Sequence, residues 1–111
     1  MSAELRSNRS RPANGPLTAA EIDAASKRIA GVVAPTPLQH SDRLSQITGA
    51  NVYLKREDLM SVRSYKLRGA YNLLVQLTDA ELAAGVVCSS AGNHAQGFAY
   101  ACRSLGVHGR V

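Results

Sequence analysis

Several residue types are scarce in this 111-residue sequence, and each scarcity excludes a class of protein. It has no tryptophan, two cysteines and five aromatic rings (four tyrosines and one phenylalanine). Cys88 and Cys102 follow no metal-ligand spacing, so two reduced thiols are expected, with no disulfide scaffold and no metal site. No apolar run approaches the roughly 18 residues of a membrane span, and residues 1–14 lack the apolar core of a signal peptide. The sequence therefore predicts a cytoplasmic protein with no membrane partner.

What the sequence does contain is the composition of a globular protein with a basic balance. Hydrophobic residues make up 45% and charged residues 19%, with a net charge of +5. The arginines do not cluster with aromatic rings, so no nucleic-acid partner is expected. A small basic binding protein remains an alternative, although no motif supports it. Residues 1–16 are predicted to form a flexible tail, and residues 17–111 part of one domain.

Capping and spacing signals predict alternating helices and strands. A capping box of Thr18 and Glu21 starts a helix that Pro35 stops, and a second box starts a short helix at Thr78. Further helices are predicted over 41–47, 64–77 and 92–105, and strands over 51–55, 86–89 and 107–111. One face of the first helix carries Ile22, Ala25, Ile29 and Val33. The order predicts an α/β fold with an open parallel sheet flanked by helices.

This predicted fold is incomplete. A parallel sheet needs cover on both faces, and three short strands ending at Val111 bury little surface. The chain is therefore expected to be the opening part of a longer catalytic domain, with little activity alone. A truncated product without catalytic function remains an alternative.

The first chemical motif is Ser-Tyr-Lys-Leu-Arg-Gly-Ala at 64–70, which places Lys66 at the start of a predicted helix. The positive end of the helix dipole disfavours an ammonium there and favours a neutral, nucleophilic amine. Such an amine can form a Schiff base with an aldehyde cofactor. A solvated surface lysine gives the same pattern. Ser64 is predicted to cap the helix.

The second motif is Ser-Ser-Ala-Gly-Asn-His-Ala-Gln-Gly at 89–97, between a predicted strand and a predicted helix. Ligands of open α/β sheets bind at the carboxyl ends of strands, and free amides at a helix start favour an anion. Ser90 and Asn93 add neutral hydrogen-bonding groups, and Gly92 allows close approach. The motif predicts a carboxylate or phosphate pocket, with a simple N-capped turn as the alternative.

Together the two motifs resemble those of the fold-type II pyridoxal 5'-phosphate (PLP) enzymes, the tryptophan synthase β-like group. Residues 64–70 are similar to the cofactor-lysine motif of the threonine ammonia-lyase (threonine dehydratase) family, and residues 90–97 to its asparagine loop. Two earlier stretches, 36–38 and 52–58, also match that family. The resemblance runs from about Pro35 to Val111, and it implies this family's fold and cofactor.

The resemblance also implies roles for individual residues. Lys66 would hold PLP and remove the substrate α-proton, and Asn93 would hydrogen-bond the ring hydroxyl oxygen of the cofactor. Ser90, Gly92, Asn93 and His94 would line the site for the substrate carboxylate. For His94, a backbone N–H alone could serve, with the imidazole packed behind the loop.

The implied reaction is β-elimination of water from L-threonine, which yields 2-oxobutanoate and ammonia in the first step of isoleucine biosynthesis. A catabolic serine/threonine dehydratase, acting also on L-serine, is the alternative. The implied full-length enzyme is a homo-oligomer that binds a small amino acid. The family's phosphate loop and pyridine-nitrogen contact are expected beyond Val111.

Ala91 separates elimination from racemisation within this resemblance. Serine racemases of the family carry a hydroxyl at the matching position, on the cofactor face opposite the lysine, because racemisation needs a proton-transferring group on each face. Alanine cannot transfer a proton, so racemase is disfavoured. Cysteine synthases are disfavoured by the Leu-Arg-Gly that follows Lys66 and by the Asn93-His94 pair.

Overall fold

A computed structural model of the chain describes residues 16–111. The predicted tail therefore lies outside the described residues, except for Pro16. The helices are α1 (Ala19–Ile29), α2 (Asp42–Thr48), α3 (Lys66–Leu74), α4 (Asp79–Ala83) and α5 (Asn93–Leu105). The strands are β1 (Leu38–His40), β2 (Tyr53–Lys55), β3 (Val86–Val87) and β4 (Gly109–Arg110). No helix among residues 16–111 is long and apolar enough to cross a membrane.

Helix α1 begins where the sequence predicts and ends earlier. Thr18 and Glu21 form the predicted capping box, with the Glu21 carboxylate accepting from the Thr18 amide at 2.8 Å. The helix ends at Ile29, six residues before Pro35. The predicted apolar face is covered only towards the C-terminal end of the helix: Ile22 is 55% exposed, Ile29 packs against the core, and Val33, just beyond the helix, is buried in it. Periodicity identified the face but not how much of it the rest of the chain covers.

The first strand pair differs from the predicted parallel sheet. Strands β1 and β2 pair antiparallel, with Gln39 opposite Leu54, and β1 was not predicted as a strand. Helix α2 joins them, beginning at the Ser41 cap and ending at Gly49, whose φ of 68° is left-handed. The seven-residue helix α2 reverses the direction of the chain, so β1 and β2 pair as antiparallel neighbours. A parallel pair would need a longer crossover.

Helices α3 and α5 form the core. The sequence predicts one apolar face on each helix: Leu67, Ala70, Tyr71, Leu74 and Leu77 on the first, and Phe98, Ala101, Cys102 and Leu105 on the second. All of these residues are buried except Leu77 and Leu105, which are partly buried against the core. Val33, Met60, Val62 and Val75 complete the buried cluster. Burial, with Cys88 nearby, raises the pKa of the Cys102 thiol, and both cysteines are free, as predicted.

The second strand pair agrees with the predicted topology. Strands β3 and β4 pair in parallel, with Val86 opposite Gly109, and α5 is the crossover between them. Gly106 ends α5 with a left-handed φ of 66°, as the sequence predicted. The crossover carries the chain from the end of β3 through residues 88–92 into the start of α5, where a ligand site of an α/β fold is expected.

Candidate active site

The cofactor-lysine motif lies where the chain enters α3. Lys66 is the first residue of the helix, and Tyr65 occupies the cap position without a side-chain cap. The prediction that Ser64 caps the helix is therefore wrong. The Ser64 side chain turns inward instead, leaving the residue 7% exposed, and its hydroxyl is a buried polar atom without a partner among the described residues. Arg63, just before it, has a left-handed φ of 57°, which costs energy for a residue with a Cβ.

The amine of Lys66 lies over its neighbour's ring. Its Nζ is 4.5 Å from the centroid of the Tyr65 ring, a contact typical of an ammonium on an aromatic face. Lys66 is of intermediate burial, and Tyr65 is 57% exposed. The side chain that carries the amine is therefore not enclosed by residues 16–111.

The asparagine loop joins β3 to the start of α5. The Ser90 hydroxyl accepts from the amides of Gly92 and Ala95, both at 3.3 Å. Ser90 therefore stabilises the turn and the first turn of α5, the alternative that its sequence left open. The amides of Asn93 and His94, the first two of the helix, have no acceptor within it. Both side chains are exposed.

The contact that brings the two motifs together is made by Gly97. A Cβ built on Gly97 would lie 2.8 Å from the Leu67 amide nitrogen and 2.9 Å from the Lys66 carbonyl carbon. Only glycine permits this approach of one helix to the backbone of another. Asn93 is four residues before Gly97, on the same face of α5 and about 6 Å up the helix. The Asn93 end of α5 therefore lies against the Lys66 end of α3.

Gly92 has the opposite surroundings. Nothing lies within 4 Å of the place where its Cβ would stand, so the backbone before Asn93 borders open space. The predicted substrate-binding residues Ser90, Gly92, Asn93 and His94 lie along the short segment that leads from β3 into α5. Within residues 16–111 no group of three or more His, Cys, Asp or Glu side chains could hold a metal ion.

An ion pair that the sequence did not single out lies beside Lys66. The Arg68 guanidinium donates from Nε to one Glu57 oxygen at 2.7 Å and from a terminal nitrogen to the other at 2.9 Å. The Thr36 hydroxyl donates to the same carboxylate. Arg68 and Glu57 are separated by 11 positions, and a charged pair at that spacing follows no helix or strand period, so only the fold could reveal it.

A cavity lies away from these motifs. This cleft of about 260 Å³ is bordered by the loop 32–37, the loop 59–61, Leu67 and Tyr100. None of the residues predicted to bind cofactor or substrate lines it. It borders the start of α3 only through Leu67, the residue after Lys66.

Comparison with known proteins places this arrangement in a family. A family model described as "Pyridoxal-phosphate dependent enzyme" matches residues 29–111. The chain belongs to this family. Two solved structures have the same fold: a threonine deaminase from T.th. (TM-score 0.75, 37% identity, 86% of this chain and 33% of that one) and a serine racemase from Dictyostelium discoideum (0.77, 36%, 81% and 30%). The expected fold-type II architecture is confirmed.

Among curated members of the PLP family, the biosynthetic L-threonine dehydratase of Mycobacterium leprae is 78% identical over 111 residues, covering all of this chain and 25% of that protein. The same enzyme of Corynebacterium glutamicum is 61% identical over 95 residues, covering 86% and 22%. The chain spans about a quarter of the length of these relatives.

The residues present fit the family's cofactor. An aldehyde needs a primary amine, which Lys66 supplies at the surface of the helix start. A polar ring needs neutral hydrogen-bonding groups, and Asn93 supplies an amide one helical turn from the contact with Lys66. The open space at Gly92 leaves room for a ligand against the backbone. The buried, unpartnered Ser64 hydroxyl lies on the same stretch of chain.

Proposed function

We propose that this protein acts as a PLP-dependent threonine ammonia-lyase, converting L-threonine to 2-oxobutanoate and ammonia in the first step of isoleucine biosynthesis. The observation that carries the proposal is the approach of Gly97 to the backbone of Lys66 and Leu67, because it brings the start of α3, which carries Lys66, against the helix that begins with the asparagine loop. Relatives named biosynthetic L-threonine dehydratase, 78% identical over the whole chain, support the choice of substrate.

Lys66 is proposed to have two tasks. Its amine holds the cofactor, and once released by the incoming substrate it takes the proton from the α-carbon. A single amine on one side of the substrate makes that proton transfer face-specific. The start of α3 is suited to this because the helix is anchored by Leu67, which is 1% exposed, directly after the reacting residue.

The asparagine loop is proposed to orient both partners. The Asn93 amide hydrogen-bonds the ring hydroxyl oxygen of the cofactor, and the turn of Ser90, Gly92, Asn93 and His94 receives the substrate carboxylate. Backbone amides at the start of α5 suit a carboxylate because they add partial positive charge without a proton to lose. His94 is exposed and can serve through its amide, with no need for its imidazole.

The chemistry needs little more from the protein. When bound, PLP draws off the negative charge left at the α-carbon. The β-hydroxyl then leaves with a proton as water, and the same amount of water is taken up when the amino group is released as ammonia. The protein's contribution is orientation of the α C–H bond and exclusion of competing geometries.

Racemisation is the second candidate, because serine racemases are among the structures that share the fold. Ala91 argues against it, since its methyl group cannot deliver a proton to the face opposite Lys66. Converting Ala91→Ser is expected to add measurable D-serine formation from L-serine. Chiral chromatography of the products would detect the D-serine. Formation of D-serine by the parent protein, in which Ala91 is unchanged, would favour racemisation.

The activity test uses the protein expressed with any coding sequence that follows Val111. We expect L-threonine to give 2-oxobutanoate and ammonia in equal amounts, measured as the phenylhydrazone and by an ammonia assay. Lys66→Ala should abolish turnover, while Lys27→Ala, a lysine in the last turn of α1, should leave it intact. L-serine as the faster substrate would point to the catabolic serine/threonine dehydratase. Full turnover by Lys66→Ala would contradict the proposed mechanism.

The proposal extends to location and assembly. We propose a cytoplasmic homo-oligomer whose partner is a small amino acid, with no nucleic acid and no membrane involved. The absence of an arginine-aromatic cluster and the apolar side chains exposed on β1 and β2, such as Leu38 at 65% and Tyr53 at 56%, support this reading. Light scattering coupled to gel filtration would test it, and a monomer at micromolar concentration would contradict it.

A further inference from the structure

A carboxylate fixes the turn of chain from which the reacting lysine emerges. Glu57 belongs to the single helical turn Glu57–Leu59 that follows β2. Both of its oxygens accept from Arg68, in the fork geometry of a bidentate pair at 2.7 and 2.9 Å. The Thr36 hydroxyl adds a third hydrogen bond. The side chain of Glu57 is only 18% exposed, so this contact is largely shielded from solvent.

Glu57 and Arg68 both keep their charges at neutral pH. The hydrogen bonds from Arg68, aided by Thr36 and Lys55, lower the pKa of Glu57 to about 2, against an opposing effect of burial. The carboxylate likewise raises the pKa of Arg68. Both partners therefore stay ionised at neutral pH, and the pair behaves as a permanent link between the β2 exit and α3.

The link acts on α3 two residues after Lys66. Arg68 is the third residue of the helix, and its amide donates to the Tyr65 carbonyl at 3.1 Å, closing the first turn around Lys66. That turn has no side-chain cap and no acidic residue of its own. Glu57 supplies a carboxylate from outside the helix and ties this turn to the chain after β2 through Arg68.

The same turn is also held by packing. Gly97 lies against the Lys66 carbonyl carbon and the Leu67 amide, too close for any side chain. A close helix contact and a bidentate ion pair therefore both act within two residues of Lys66. Loss of either constraint lets the Lys66 end of α3 shift while the rest of the helix stays packed through Ala70, Tyr71 and Leu74.

We propose that Glu57 is a positioning residue for Lys66, acting through Arg68 and Thr36 to fix the first turn of α3. The inference rests on the proposed function for its kinetic consequences. Glu57 touches neither substrate nor cofactor in this role. It decides where the amine stands, and reaction rates fall by up to ~100-fold when reacting groups are misplaced by about 1 Å.

The adjacent ion pair provides a matched control. Arg56 donates to both Asp58 oxygens, at 2.9 and 2.7 Å, so it has the same bidentate geometry one residue away. Asp58 is 59% exposed, and the other side-chain hydrogen bond of Arg56 goes to Gln39 on β1. Asp58→Asn removes the same charge as Glu57→Gln, from the same turn of chain, without disturbing the link to Lys66.

The kinetic experiment compares these two variants in the PLP-loaded protein, expressed with any coding sequence that follows Val111. We expect Glu57→Gln to lower kcat for L-threonine by ~10- to 100-fold with KM changed less than about threefold. In the same proteins freed of cofactor, the rate at which Lys66 captures added PLP, followed by the absorbance of the bound cofactor, should fall in parallel. Asp58→Asn should stay within about twofold of the parent in both measurements.

Conservative variants separate positioning from general loss of stability. Arg68→Lys keeps the positive charge but loses the bidentate geometry of the guanidinium. It should therefore show the same kcat defect, and it can be measured even if Glu57→Gln does not fold. Glu57→Asp should recover part of the capture rate. Equal kinetics in the parent, Glu57→Gln and Arg68→Lys would overturn the inference, as would an equal defect in Asp58→Asn.

A third readout is independent of catalysis. Hydrogen exchange of the amides of residues 65–70, measured without PLP, should be at least ~10-fold faster in Glu57→Gln than in the parent and unchanged in Asp58→Asn. If the parent protein fails to deaminate L-threonine, the proposed function is wrong, and the exchange result alone then decides the inference. Unchanged exchange in Glu57→Gln would overturn it in either case.

Discussion

The two halves of the described chain are held together in different ways. Helices α3 and α5 each bury four residues against one another. In β1, α2 and β2, by contrast, no residue is buried, and polar hydrogen bonds hold the segment: His40 bonds Asp42 at 2.9 Å and Ser45 at 3.1 Å. The difference shows which half of the described chain fixes the positions of its side chains more closely. Lys66 emerges from the packed half, and the polar half should tolerate change that the packed half cannot.

The glycines of the two central helices give the sharpest test of this difference. Gly97→Ala should destabilise the fold by ~1–3 kcal/mol or more, because its Cβ would meet backbone atoms that cannot rotate away. Gly69→Ala, on the partner helix, meets nothing within 4 Å and should stabilise by ~0.5–1 kcal/mol. Urea unfolding midpoints would measure both. A neutral Gly97→Ala would show that the helices are not in close contact.

Two adjacent leucines on α3 test the same packing by removing side-chain atoms instead of adding one. Leu74 is 3% exposed and Leu73 is 62% exposed. Leu74→Ala should cost ~2–5 kcal/mol, and Leu73→Ala about 0.5 kcal/mol or less. The two variants remove the same atoms from neighbouring positions, so thermal unfolding compares burial directly. Equal losses would mean that α3 is rotated from the orientation described.

Acid should weaken the packed half through Glu57. Its folded-state pKa of about 2 lies below the ordinary value of 4.5, so its contribution is complete above about pH 5 and is lost as pH falls through 2. That contribution should be roughly 1–3 kcal/mol. The stability gap between the parent and Glu57→Gln should therefore close between pH 5 and 2. A gap independent of pH would show that the carboxylate is not paired.

The smallest expected effect belongs to the polar half. The Ser45 hydroxyl accepts from the Val52 amide at 2.9 Å and bonds His40. Ser45→Ala should cost about 1 kcal/mol and leave the capture of PLP by Lys66 unchanged, whereas Gln46→Ala on the same helix should have no measurable effect. A large loss of PLP capture in Ser45→Ala would break the division between the halves.

Much of the packed half could be predicted from sequence because local rules decide it. Thr18 and Thr78 form the predicted capping boxes, Gly106 ends α5, and the 3.6-residue period marks the buried positions of α3 and α5. These signals depend on residues close in the chain. The motifs at Lys66 and Asn93 resembled one family for the same reason, since each is a short continuous stretch.

The features that the sequence did not predict depend on contacts between residues far apart in the chain. The antiparallel partner of β2 is β1, fifteen positions earlier at the pair Gln39 and Leu54, and three-residue strands have too little alternation to show it. Ser64 was expected at the helix cap, yet its side chain is buried, and Arg63 before it has a left-handed φ of 57°. The link from Glu57 to Arg68 follows no period at all. Tertiary packing, and not local preference, decides each of these.

The measurement that tests the central claim most directly is the site of covalent attachment. The protein, incubated with PLP and reduced with borohydride, would be digested and the labelled peptide identified by mass spectrometry, with Lys66→Arg as the control. We expect a single phosphopyridoxyl group on Lys66. It should be absent from the control and should form more slowly in Glu57→Gln. A label distributed over surface lysines such as Lys27 and Lys55, with none enriched at Lys66, would contradict it.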